Sequence, residues 1–216
     1  MAANDSLPVH AAPTPVGGPT PVLVRAVQRL EGVRSLDRWG AVVEVLSRPA
    51  AAPAVRSVLR GEHSGHALHP FLTDVPIGMW SASLLLDLLG RDSDRPAARR
   101  LMGVGLLAAV PTVVTGLAEW RTTKAPESRV ATAHAALNGL AVVLYAASWD
   151  ARRRSQRTGV ALSLGATTVA SLAGFLGGHL VVARKVGSRN AAYQRDGVGP
   201  QLTRPETGAP GAFDAP

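Results

Sequence analysis

Cysteine is absent from this 216-residue chain, and aromatic residues make up only 4% of it. The first absence excludes disulfides, thiolate zinc sites, c-type haem attachment and iron–sulfur clusters held by cysteine. Any metal centre must be built from His, Asp or Glu, or be an unattached haem. The second absence leaves few rings to stack bases. A net charge of +8 therefore does not point to nucleic acid, and no nucleic-acid-reading motif is present. The opening "MAANDSLPVHAAPTPVGGPTP" has no basic start followed by an apolar core, so it does not read as a secretory signal. Also missing are a Ser–His–Asp arrangement with usable spacing, a glycine loop before a basic helix start and a paired-carboxylate helix motif. Nucleophilic hydrolysis and nucleotide chemistry are disfavoured, and the chain is at most an electron-transfer component.

What is present is aliphatic. Hydrophobic residues make up 46% of the chain, mostly Ala, Val and Leu, and they concentrate in the middle. Four apolar runs cover Phe71–Leu89, Leu101–Ala118, Val130–Trp149 and Thr158–Ala183. About 20 helical residues cross about 30 Å of hydrocarbon. "LMGVGLLAAVPTVVTGLA" has no charged face at all, which a helix of a soluble bundle would show. The expectation is an all-α fold, a four-helix transmembrane bundle in the lipid bilayer over residues 61–186. Residues 21–60 read as basic amphipathic helices, broken at Gly32, that lie on the membrane surface or cap the bundle. "RPAAAPAV" (48–55) reads as a linker and "VRSVLRG" as a short helix. Residues 1–20 and 187–216 read as disordered. Arginines crowd both ends of the bundle, so counting positive charge does not orient it. The basic amino-terminal segment favours termini at the cytoplasmic face of a bacterial membrane.

Short connections make the helices antiparallel, and this brings scattered polar groups to one face. His66 and His69 stand at the entry to the first run, with Asp74 one turn inside. Glu119 and Trp120 end the second. His134 lies about four residues into the third, roughly 6 Å deep, and His179 lies near the end of the fourth. Ionisable residues inside a membrane are costly and usually face a partner or a wet cavity. His134 and His179 are expected as the two axial ligands of a haem b, supported by Asn138, Trp120 and the small Gly178. A mononuclear site drawing on His66, His69, Asp74, Glu119, His134 and His179 is the rival. Asp87, near the other face, is expected to answer Arg91, Arg99 or Arg100. Thr112 and Thr115 are expected to bond back to helix carbonyls around Pro111.

"GHALHPFLTDVPIGMWSASLLLDLLG", "GLLAAVPTVVTGLAEW", "RVATAHAALNGLAVVLYAASW" and "GGHLVVARKVG" together resemble an uncharacterised bacterial family of four-helix membrane proteins. Its most specific stretch is HP-x5-PIG-x-W, and some actinobacterial members are fused to a carboxy-terminal Rieske domain. The resemblance implies an integral membrane domain associated with electron transfer. It carries over His66, His69, Asp74, Pro76, Gly78, Glu119, Trp120, His134, Asn138 and His179. The tail "RDGVGPQLTRPETGAPGAFDAP" has no Cys-His cluster motif, so a Rieske partner would be a separate protein. An oligomer, a structural or assembly subunit, and a small proton-linked transporter using Asp74, Glu119 and His134 are the other readings.

Overall fold

A computed structural model describes residues 19–187, and the expected disordered lead and tail lie almost wholly outside the described residues. Within them the chain is helical, with no strand. Helices α1 (Val22–Gly32), α2 (Leu36–Ser47) and α3 (Pro53–Leu59) form an amino-terminal cap. Helices α4 (Leu68–Leu89), α5 (Arg95–Trp120), α6 (Glu127–Ala151) and α7 (Gln156–Gly178) form the bundle, and α7 runs on into a π-turn over His179–Ala183. Residues 48–55 are not a linker. They are a 3₁₀ turn (Arg48–Ala51) running into α3, which Pro53 starts because a first-turn proline loses no helical hydrogen bond.

All four bundle helices are long and apolar enough to cross a membrane. Their outward faces carry large apolar side chains, such as Leu89 (81% exposed), Leu107 (74%) and Val143 (63%). Such surface is stable only against lipid or another protein. α5 and α6 start earlier than the apolar runs, because Arg95–Arg100 and Glu127–Arg129 continue the helices past the hydrocarbon.

The helices pair as two hairpins, α4 with α5 and α6 with α7. The hairpins repeat a set of contacts. Shifting the first helix by 65 residues pairs His69 with His134, Trp80 with Tyr145, Ser83 with Ser148 and Asp87 with Arg152, and shifting the second by 61 pairs the backbone they meet, Ala98 with Gly159, Thr112 with Ala173 and Gly116 with Gly177. Ser83 Oγ donates to Ala98 O at 2.8 Å, and Ser148 Oγ to Gly159 O at 2.7 Å. Trp80 stacks on its counterpart Tyr145, with ring centroids 4.0 Å apart. Asp87 pairs with its counterpart Arg152 at 2.6–2.7 Å, both side chains within 1% of fully buried. Because α4 and α6 meet in the same residue order, they run parallel, and the pseudo-twofold axis lies along the membrane normal. This is a parallel repeat rather than an inverted one.

Asp87 is thus answered by Arg152, with Gln156 donating to it at 2.8 Å, and not by Arg91, Arg99 or Arg100. A buried bidentate guanidinium–carboxylate pair supplies the partners that burial of either charge demands. Thr112 and Thr115 do bond back to the carbonyls of Ala108 and Pro111. Thr112 Oγ1 also lies 3.0 Å from Leu72 O, which ties α5 to α4.

The cap packs on the end of the bundle where α4 and α6 begin, α1 against α6 and α2 against both α5 and α6. Arg129 at the start of α6 donates to both Asp37 oxygens at 2.8 and 2.9 Å and to Glu31 O at 2.9 Å. Trp120 lies against Gly40 of α2 and donates from its indole nitrogen to Thr132 Oγ1 at 3.0 Å.

Candidate functional site

The polar layer beneath the cap is organised by the two hairpins. His69 enters α4 just before Pro70, in a first turn that tolerates proline, and His134 lies in the second turn of α6. Each imidazole crosses to the second helix of its own hairpin. His69 Nδ1 donates to Thr112 O at 2.9 Å, and His134 Nδ1 donates to Ala173 O at 2.8 Å. A carbonyl only accepts, so each ring carries its proton on Nδ1, and Nε2 is the acceptor of the neutral ring. One turn beyond each carbonyl stands a glycine. A Cβ on Gly116 would come within 2.8 Å of the His69 ring, and one on Gly177 within 2.8 Å of the His134 ring. Both rings are seated where only glycine leaves room.

The two rings face each other across the pseudo-axis, centroids 6.2 Å apart and planes near perpendicular at 87°. Their surroundings differ. Asn138, one turn along α6, donates to His134 Nε2 at 3.0 Å and to the His134 carbonyl at 3.0 Å. The equivalent Thr73 donates only to the His69 carbonyl, at 2.7 Å. Among the described residues no hydrogen bond reaches His69 Nε2. The centre therefore holds one engaged and one open imidazole nitrogen.

His134 is thus brought together with His69, and His179 is placed elsewhere. At the start of the π-turn His179 Nε2 lies 3.0 Å from Glu31 Oε1, and Arg184 Nε donates to the same oxygen at 2.9 Å. Burial works against the Glu31 carboxylate, but hydrogen bonds from Arg184 and His179, with the Arg184 charge, outweigh it and hold its pKa below the ordinary value. Glu31 is a residue that sequence reasoning missed. It arrives from α1, 148 positions before its partner, and no local spacing signals the pairing. Gly178, expected to make room near the site, faces open space, and Gly177 is the residue against an imidazole.

The other expected ligands do not gather around the pair. Asp74 is exposed on the outside of α4. His66 is exposed in the segment before α4. Glu119 is buried at the end of α5, with an oxygen 3.9 Å from where a Cβ on Gly187 would stand. Among the described residues no three His, Asp or Glu side chains converge on one point.

A bundle of four membrane-length helices with a histidine pair near one end defines a small multi-pass membrane protein. More narrowly, the chain belongs to the family described as "Predicted membrane protein (DUF2231)", whose model matches residues 65–190. The match begins just before His69 and covers both hairpins but not the cap. No curated protein and no solved structure matches the chain.

Proposed function

We propose that the bundle is a membrane-embedded redox or metal-binding module whose centre lies between His69 and His134. One observation carries this reading. Both imidazoles commit Nδ1–H to a backbone carbonyl, which fixes ring orientation and tautomer and leaves Nε2 as the ligating atom, open on His69 and engaged by Asn138 on His134. The spacing agrees. The ring centroids stand 6.2 Å apart, close enough that both imidazoles could hold one centre between them.

The donor set suits the iron of a haem b, which His69 and His134, rather than His134 and His179, would hold. A bound haem would supply one-electron chemistry. The chain's own residues do the rest: Thr112 and Ala173 orient the rings, Gly116 and Gly177 seat them, and Asn138 donates to His134 Nε2, a bond that ligation at that atom would have to displace. A separate redox protein is the partner such a module needs. The cap face is the proposed cytoplasmic face of a bacterial membrane.

A second reading rests on the same bonds. The two Nδ1 contacts each join the helices of one hairpin, and that alone suits a non-catalytic structural or assembly subunit.

A reduced-minus-oxidised absorption spectrum of the full chain, purified in mild detergent after haem-sufficient expression, separates them. Sharp α, β and Soret features that are lost in His69→Ala and in His134→Ala, and kept in His179→Ala, are the expected result. A colourless protein that is also metal-free by elemental analysis rejects the module and leaves the histidines as clamps.

A further inference from the structure

The opposite end of the bundle holds a second polar feature, independent of the imidazole pair. Where α5 begins and α6 turns into α7, an open cleft of about 520 Å³ is lined by Arg95, Arg99, Arg100, Arg152, Arg153 and Arg154, with Pro96 and Gln156. Six guanidinium groups around one cleft repel each other unless something negative sits among them. The protein supplies only part of that charge. Asp87 is fully engaged with Arg152, Asp92 pairs with Arg95, and Asp150 lies 3.7 and 3.9 Å from Arg153 and Arg154. Arg99 and Arg100 have no ion pair among the described residues. Three carboxylates against six arginines leave a net charge of about +3.

The cleft is also partly preorganised. Arg99 and Arg153 both lie over the Trp149 ring, 4.4 and 4.9 Å from its centroid, and Arg99 Nε donates to Trp149 O at 3.3 Å. Arg152 is locked by Asp87 from below. Such stacking holds planar forks in place, so less side-chain freedom is lost when an anion arrives. The depth fits a lipid. Asp87 lies 18 residues along α4 from His69, or roughly 27 Å at helical rise, so the cleft above it stands at the opposite edge of the hydrocarbon, where headgroup phosphates lie.

We propose that this cleft binds the phosphate of an anionic membrane lipid. Guanidinium forks match phosphate oxygens bidentately, and basic pockets between membrane helices are suited to such headgroups. The acyl chains would then lie along the apolar outer faces of the bundle.

The test is thermal unfolding of the purified full chain in detergent, titrated with cardiolipin, phosphatidylcholine or inorganic phosphate. Cardiolipin is expected to raise the midpoint saturably, whereas phosphatidylcholine and millimolar phosphate do not. Arg100→Gln/Arg154→Gln removes two exposed charges without touching Trp149 or Asp87, and should weaken the cardiolipin response by roughly fivefold per arginine. Arg56→Gln/Lys124→Gln removes the same charge at the cap end and should leave the response intact. An equal response to phosphatidylcholine, or an equal loss in the cap-end variant, overturns the site. A full response to inorganic phosphate overturns the lipid as its source.

Discussion

The two hairpins share a plan and differ in what stands at the pseudo-axis. At the cap end both supply a histidine. At mid-depth one supplies Trp80 and the other Tyr145, and at the far end one supplies Asp87 and the other Arg152. A true twofold would place two like charges against each other in the last layer. The chain instead carries opposite charges at equivalent positions, and so turns the most costly layer into its best-matched contact. The backbone repeats; the axis residues have specialised.

That comparison is easiest to break at the ion pair. Asp87→Ala leaves the Arg152 guanidinium buried and should cost about 3–5 kcal/mol in thermal unfolding of the detergent-purified chain. The exchange Asp87→Arg with Arg152→Asp should recover the larger part of that loss, since the pseudo-axis offers each charge the other's place. An exchange as damaging as the single change would show that the equivalence stops short of this layer.

A smaller effect is expected one layer from the cap. Gly116→Ala and Gly177→Ala each drive a methyl group to within 2.8 Å of an imidazole and should cost about 1–3 kcal/mol. Both should also disturb the absorption bands of any bound haem. Gly178→Ala, with nothing within 4 Å of the new methyl, should leave both measurements unchanged.

Smaller still are the serine clamps. Ser83→Ala and Ser148→Ala each remove an equivalent bond to the second helix and should cost about 0.6–1 kcal/mol. Ser163 is buried, and among the described residues its hydroxyl has no hydrogen bond. Ser163→Ala should therefore be neutral or slightly stabilising.

The smallest effect concerns the cap, which the repeat does not include. The Glu31 carboxylate has a lowered pKa in the folded chain, so its contribution is complete above its ordinary value near 4.5 and is lost as pH falls through the lower folded value. Amide exchange in α1, corrected for intrinsic rate, should accelerate on acidification through that window. Glu31→Gln should already show the faster exchange at neutral pH; unchanged protection there would mean that other contacts hold the cap.

The membrane fold was legible because it rests on length and apolarity, which are local. The gathering of histidines at one end was legible too, since alternating helix direction follows from short loops. The contact between His69 and His134 was not. His134 and His179 are both in neighbouring helices near that end, but His179, where α7 passes into the π-turn, meets Glu31 of α1, a partner that no local spacing signals. The repeat did leave a trace. His69-x10-Trp80-x2-Ser83-x3-Asp87 matches His134-x10-Tyr145-x2-Ser148-x3-Arg152 position for position. Identical residues are few, so the spacing alone carries the signal, and it points to His69 as the counterpart of His134. The arginine cleft was visible only as charge density, because the turn that closes it depends on how the hairpins dock.

The placement of the tryptophans has a spectroscopic consequence. Trp39 in α2 and Trp120 against Gly40 stand at the cap, Trp80 lies stacked in the middle, and Trp149 sits beneath two guanidinium groups at the far face. The chain thus carries one native fluorophore reporting on each level of the bilayer, two at the cap. Replacing all but one with phenylalanine would give a set of depth gauges. Quenchers fixed at known positions along lipid tails would then read the tilt and immersion of the bundle without a foreign label.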